Sequence, residues 1–375
     1  MQIYDVIVVG AGPSGSTAAR IAAKNGLEVL LLDQKAFPRE KVCGGYLSCK
    51  TLRLLAEPLP DKVVEQSIYG VRLYDRHYRF IQKKEPGLLG VTVRRDQFDQ
   101  HLVQEAVRAG AQFISPLKVR YVQPVEGFQK VHVYTADGML AAKKVIVAEG
   151  ANGVVAQKAG LQKKWRKWQW GFTLTTVIKG GQRAAEQAVP YVELYCIPFL
   201  GGFGWAFPLR DGYNIGVGSW ACQAHALYRY VTPFLAQVCR LKNIGQEAPR
   251  FQGSYMPAGG FPRKLGSRSV LLTGDCGGFV DPFSGEGIYY GIRSGEIAAS
   301  EVVKSMVKGD YDAGANYRKR CKQAFYYDFY CSLAKALRSG TKRSICAGTP
   351  KADRFLADIM HIMKNPKAYR MHNSS

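Results

Sequence analysis

The segment Gly10-Ala11-Gly12-Pro13-Ser14-Gly15 constrains this chain most, because G-x-G-x-x-G carries structural meaning only between a strand and a helix. Both flanks are present. Tyr4–Val9 (YDVIVV) is a short β-branched run stopped by glycine, the pattern of a strand buried in a parallel sheet. Ser16–Asn25 reads as a helix, ended by Gly26 at the C′ position. Glu28–Leu32 (EVLLL) is the next strand and delivers Asp33 and Gln34 at its tip. These pieces make a complete βαβ unit. Gly10 permits the tight turn, Gly12 lets the backbone approach a pyrophosphate, and Gly15 allows close helix–strand packing. Ala11, Pro13 and Ser14 fill the turn, and the helix start beyond it offers free N–H groups to phosphate. Asp33 stands where a carboxylate accepts hydrogen bonds from ribose hydroxyls. The fingerprint by itself does not separate a flavin from a nicotinamide dinucleotide.

A second segment makes that separation. Ser269–Thr273 (SVLLT) reads as a late buried strand, leading into Gly274-Asp275 and then Gly285-Glu286-Gly287-Ile288 at the head of a helix running to about Lys308. An aspartate at such a tip resembles the G-D motif of the p-hydroxybenzoate hydroxylase-like flavoprotein superfamily. The resemblance implies FAD, with Asp275 on the ribitol and Gly274, Gly285, Gly287 and Ile288 facing the flavin. Backbone N–H groups there would stabilise negative charge on the reduced ring. Val145–Gly153 (VIVAEGANG) resembles the internal D-G motif, with Glu149 in the place of aspartate. Arg95, in VRRDQFD, matches the superfamily arginine that contacts FAD. No second G-x-G-x-x-G follows a strand, so electrons are expected from transiently bound NAD(P)H or from a reduced electron-carrier protein.

Two further segments select a branch. Phe37–Ser48 (FPREKVCGGYLS) resembles the P-x-x-K-x-C-G-G signature of the geranylgeranyl reductase family. Phe203–Pro208 (FGWAFP) is similar to that family's Y-x-W-x-F-P substrate motif, with Phe203 replacing tyrosine. The resemblance spans most of residues 4–310. It implies reduction of isolated C=C bonds in a polyprenyl lipid or prenylated quinone. It places Cys43, Gly44 and Gly45 beside the flavin, with Cys43 as proton relay or alkene positioner. It assigns Trp205, Phe207 and Pro208 to the prenyl chain. Without the resemblance, Cys43 reads equally as a small buried residue, and Trp205 and Phe207 as sheet core. The missing hydroxyl at Phe203 leaves the substrate headgroup open. The rivals are an FAD monooxygenase or halogenase of the same fold, although the halogenase W-x-W-x-I-P motif is absent, and a non-catalytic flavin electron carrier.

The expected fold class is α/β (α+β), a Rossmann-like FAD-binding domain interleaved with a mixed β-sheet substrate domain, plus C-terminal helices. A chain of 375 residues exceeds what one core usually holds. The expected boundaries are 1–60, 91–165 and 255–310 for the FAD domain, 61–90 and 166–254 for the substrate domain, and 311–375 for the helices. Asp96–Ala109 has helical spacing; Lys118–Val125, Val131–Thr135 and Val145–Ala148 read as strands, the first two joined at Glu126-Gly127. Tyr191–Trp220 reads as a β-meander turning at Arg210-Asp211-Gly212.

Charge is the unusual part of the composition. Lys and Arg total 52 against 29 Asp and Glu, a formal +23, with clusters at Lys163–Lys167 and Arg318–Lys322. The excess calls for an anionic partner. No basic arm has nucleic-acid motif spacing, so an anionic membrane surface or a phosphorylated lipid is expected and nucleic acid is not. An odd count of nine cysteines, with no C-x-x-C pair, and a strand beginning at Tyr4 lead to an expectation of reduced thiols in the cytoplasm, peripheral on the membrane face. Dispersed histidines give no expected metal site.

Overall fold

Ile3–Val9 pairs in parallel with Val29–Leu32 on one side and with Met139–Val147 on the other. Its apolar residues from Tyr4 to Val9 are buried on both faces, as the uninterrupted run requires. The computed structural model describes residues 2–125, 130–161, 164–180, 190–199, 201–245, 250–259, 264–308, 311–339 and 347–365. The Glu126-Gly127 turn and Lys163 lie outside the described residues. The chain divides into two compact units: Met1–Glu40, Asp96–Arg166 and Met256–Phe329 form the first, and Lys41–Arg95, Lys167–Tyr255 and Tyr330–Ser375 the second.

The first unit holds a seven-stranded sheet in the order Gln112–Ile114, Val29–Leu32, Ile3–Val9, Met139–Val147, Lys130–Thr135, Val119–Val125. The long strand Met139–Val147 forks: its first half pairs antiparallel with Lys130–Thr135, and its second half pairs in parallel with Val270–Leu272. Helix Pro13–Lys24 packs against helix Ile288–Val307, where Gly295 lies so close that a Cβ would sit 2.3 Å from the Ser14 carbonyl oxygen. The two strands that carry the glycine motifs, Ile3–Val9 and Val270–Leu272, flank the same central strand.

The second unit holds a seven-stranded sheet in the order Gln252–Pro257, Trp170–Lys179, Gly212–Trp220, Phe203–Leu209, Tyr191–Cys196, Gly70–Tyr74, Phe80–Lys84. Tyr191–Trp220 is the expected meander, turning at Arg210-Asp211. Helix Ala224–Lys242 covers one face through Leu227, Val231, Phe234 and Leu235. Helix Pro350–Lys364 places Leu356, Ile359 and Met360 against Val71, Leu73 and Val192 of the sheet. A small sheet joins Tyr46–Ser48, Gly90–Val93 and Val64–Ile68.

The units differ from the expected boundaries in two places. Residues 41–60 and 91–95 go with the second unit, because Tyr46–Ser48 pairs antiparallel with Gly90–Val93 and Gly45 closes on Val93. The C-terminal helices do not form a region of their own. Ala313–Cys321 joins the first unit, where the Tyr317 hydroxyl donates to the Leu272 carbonyl at 2.7 Å, and Pro350–Lys364 joins the second. Each amphipathic helix buries its apolar face against whichever sheet core it can complete.

Candidate functional site

In the first unit the three fingerprint glycines have separable reasons for being glycine. Gly10 has φ +105°, and a Cβ there would meet the Ala148 carbonyl oxygen at 2.3 Å. At Gly15 a Cβ would stand 1.8 Å from the Gly10 carbonyl oxygen. Gly12 is different. Its φ of −74° and ψ of −177° suit any residue, and the only heavy atom near its Cβ position is an Arg39 guanidinium nitrogen at 3.6 Å. Among the described residues neither strain nor packing demands glycine at this position, and the space beside it is open.

The surroundings of Gly12 suit a pyrophosphate. Helix Pro13–Lys24 has no side-chain cap and no acidic residue in its first turn, so its leading N–H groups remain for an anion. The Ser14 hydroxyl oxygen is buried with no hydrogen-bond partner among the described residues, a group that a phosphate oxygen would satisfy. Asp33 accepts from the Ala11 N–H at 2.9 Å through one oxygen and from the Lys35 N–H at 2.9 Å through the other. Each oxygen keeps a second lone pair for a ribose hydroxyl. Arg39 lies 3.6 Å from Asp33 and 3.1 Å from the fully buried Asp99, which aims its guanidinium across the turn. Gln34 is exposed at the strand end.

The second motif meets the first through Gly274, whose φ is +64° and whose Cβ position is 3.1 Å from the Ser14 side chain. Asp275 is half-buried, and among the described residues its carboxylate has no hydrogen-bond partner. It lies beside Gly287, whose Cβ would stand 3.4 Å from a carboxylate oxygen. Gly285, at φ +70°, and Gly287 lead into Ile288, the first residue of an uncapped helix. The loop is built on Asp281, fully buried, which accepts from the backbone N–H of Phe283 at 3.0 Å and of Ser284 at 2.7 Å. These residues fit FAD: two uncapped helix starts, two acids with spare acceptor capacity, and a turn with room at Gly12.

Glu149 has another role. Its carboxylate accepts from the backbone N–H groups of Val155 at 3.1 Å and Ala156 at 2.9 Å, capping the short helix Val155–Lys158. Burial pushes its carboxyl above the usual range, and those two bonds only partly offset the effect. Gly153 is glycine because a Cβ would overlap this carboxylate.

In the second unit the cysteine–glycine turn meets the W-x-F-P strand. A Cβ on Gly44 would fall 2.8 Å from the Phe207 ring and 3.3 Å from the Trp205 indole nitrogen. Gly45 has φ +75° and closes against the Val93 carbonyl oxygen. The half-buried Cys43 thiol accepts a long 3.4 Å bond from the Gly45 N–H. Asn214 joins the pieces. It donates to the Cys43 carbonyl at 2.9 Å, and its amide oxygen accepts from the Trp205 indole at 2.9 Å and the Thr175 hydroxyl at 2.8 Å. Trp205 is buried and lies flat on Gly216, where a Cβ would be 2.3 Å from the indole; Phe207 is half-buried and its ring centroid is 5.8 Å from that of Tyr46. The Pro208 carbonyl accepts from the Thr92 hydroxyl at 2.6 Å. Arg95 opens the helix Arg95–Arg108, half-buried. Sequence reasoning missed Arg39, Asn214 and Asp281. Arg39 lies inside the quoted segment Phe37–Ser48, Asp281 inside the glycine-rich loop and Asn214 inside the meander, but none was singled out.

The family model of an FAD binding domain matches residues 3–196, more than half of the chain. The menaquinone reductase of Mycobacterium tuberculosis is 29% identical over 322 residues, covering 79% of this chain and 75% of that protein. Digeranylgeranylglycerophospholipid reductase 1 of Methanothermobacter thermautotrophicus is 29% identical over 344 residues, 85% of this chain and 82% of its own. Among solved structures, a geranylgeranyl bacteriochlorophyll reductase-like protein from Thermoplasma acidophilum superposes with a TM-score of 0.81 at 24% identity, covering 96% of this chain and 92% of that one. The flavin-dependent brominase Bmp2 superposes at 0.74 with 18% identity, covering 98% of each. At these identities the two structures speak for the fold alone.

Proposed function

Because the chain belongs to the FAD binding domain family, we propose that it is an FAD-dependent reductase of C=C bonds in a geranylgeranyl-type polyprenyl lipid or a prenylated quinone. The observation that carries this reading is the meeting of Gly44 with Trp205 and Phe207. Two segments about 160 residues apart, each resembling the reductase family, build one corner of the second unit. The names of the reductase relatives support the same chemistry.

Gly10–Gly15, Asp33, Arg39, Gly274, Asp275, Gly285, Gly287 and Ile288 would hold FAD, which supplies a hydride when bound and reduced. An isolated alkene accepts hydride poorly, so alignment must contribute heavily. Apolar surface at Phe207 and Tyr46 aligns isoprene units by burial, worth about 25 cal/mol per Å². Asn214 fixes the turn that presents Cys43, and the Cys43 thiol is the proposed proton donor to the second alkene carbon. The external reductant in this reading is NAD(P)H bound in passing or a reduced carrier protein. The prenyl chain is taken from a membrane that the protein visits; no described helix is long and apolar enough to cross one.

The test is anaerobic. Reduced holoenzyme mixed with a geranylgeranyl lipid should reoxidise without oxygen and yield a product two hydrogens heavier per bond, at a rate that Cys43→Ala lowers. A flavin that stays reduced until air enters, followed by an oxygenated product, would overturn the reductase reading in favour of a monooxygenase. Reoxidation by a redox partner with no change in any prenyl compound would favour an electron carrier.

A further inference from the structure

We propose that the edge of the second unit's large sheet bearing Trp168, Tyr228 and Tyr255 docks the protein on an anionic lipid surface. The three side chains are 56%, 55% and 44% exposed. Tyr228 and Tyr255 belong to one aromatic cluster, and Trp168 precedes its member Trp170 by two residues. Trp170 meets Tyr255 with ring centroids 5.9 Å apart, Tyr255 meets Phe172 at 4.8 Å, and Phe172 meets Tyr228 at 5.6 Å. Phe172 is buried and anchors the group, while Trp168 lies in the short turn Lys167–Gln169 that leads into strand Trp170–Lys179. Tyr255 lies on the edge strand Gln252–Pro257, and Tyr228 lies on helix Ala224–Lys242.

In the described segments that carry this cluster, the charged side chains have one sign. Residues 167–180, 221–245 and 250–257 contain no aspartate or glutamate. They do contain the exposed Lys167, beside Trp168, and Arg229, beside Tyr228. The opposite edge of the same sheet is mixed: exposed Lys83 and Lys84 on strand Phe80–Lys84 are followed by Glu85, which pairs with Lys364 at 2.5 Å. Large rings with one polar atom, flanked by cations and free of acids, suit the headgroup layer of a bilayer. Each cation near an anionic surface contributes about fivefold to the partition constant. Lysine and arginine without an acid among the described residues of these segments match the charge of an anionic bilayer.

The experiment is sedimentation of full-length holoprotein with phosphatidylcholine vesicles, with and without phosphatidylglycerol. Binding is expected only to the anionic vesicles. Lys167→Glu with Arg229→Glu should weaken it by at least about twentyfold. Lys83→Glu with Lys84→Glu, the same charge change at the far edge, should weaken it by less than about threefold. Brominated lipid should quench a fluorescence component that Trp168→Phe removes. Equal losses in the two charge-reversal variants, or no binding to anionic vesicles at all, would overturn the proposal. The assay needs no turnover, so its failure leaves the reductase reading standing, and the converse holds.

Discussion

Asn214 and Cys43 are tied by a 2.9 Å bond from the Asn214 side-chain amide to the Cys43 backbone carbonyl. The same amide holds the Trp205 indole and the Thr175 hydroxyl through its oxygen, so one strand residue sets both the cysteine turn and the tryptophan. Asn214→Leu keeps the volume and removes all three bonds. It leaves a buried indole N–H unpaired, and a stability loss of about 2–4 kcal/mol is expected in urea denaturation. Asn214→Asp keeps the acceptor for Trp205 and Thr175 but loses the donor to Cys43. Its turnover should fall with that of the leucine variant while the indole hydrogen bond survives, read as an unchanged Trp205 contribution to near-ultraviolet dichroism.

The glycines of the fingerprint should separate by experiment. Gly15→Ala forces a Cβ to within 1.8 Å of the Gly10 carbonyl oxygen, so the apoprotein should be strongly destabilised. Gly12→Ala meets only the movable Arg39 end, so the apoprotein should melt within a degree or two of wild type. FAD affinity of the second variant should nonetheless fall by tenfold or more, because the methyl group occupies the phosphate approach. Thermal melts of the apoproteins and flavin titrations distinguish the two.

These contrasts also mark what was legible in the sequence. The βαβ unit and the late glycine-rich loop could be read because positive-φ and close-packed glycines leave a local trace, and Gly10, Gly15, Gly274 and Gly285 are such positions. Asn214 leaves none. Within strand Gly212–Trp220, buried along nearly its whole length, it is a polar residue among mostly glycine and apolar ones, and its partners lie 9, 39 and 171 positions away. Arg39 hides in a charged loop, and only the fold brings it to Asp33 and Asp99. The C-terminal helices show amphipathic spacing, which reports that a face is buried but not against which sheet. That is why the expected region 311–375 dissolved into both units.

Arg39 carries the third prediction. Placed beside Gly12 and between two carboxylates, it would pair with the pyrophosphate of FAD. Arg39→Met removes a charge-assisted hydrogen bond of about 1.5–3 kcal/mol, so FAD should bind about 10- to 100-fold more weakly. The wild-type affinity should also decline with added salt more steeply than that of the variant. An unchanged titration curve would confine Arg39 to bracing Asp99.

Glu149 carries the last prediction. Burial raises its carboxyl above the ordinary glutamate value of 4.5 in the folded protein, with the Ala156 and Val155 N–H bonds pulling the other way. A group that binds its proton more tightly when folded favours the folded state most at low pH. That contribution is fully present below the unfolded value and is lost as pH rises through the raised folded value. Glu149→Gln cannot ionise and keeps one acceptor oxygen for the helix Val155–Lys158, while its amide group loses the second bond. The variant should therefore be less stable than wild type at acidic pH, by about 1 kcal/mol for the lost bond. The gap should narrow as pH climbs through the window above 4.5, because only the wild type bears the growing cost of a buried charge. Urea denaturation of both proteins across that window measures the gap directly. A gap that widens towards neutral pH would mean that the ionised Glu149 caps the helix more strongly than burial opposes it.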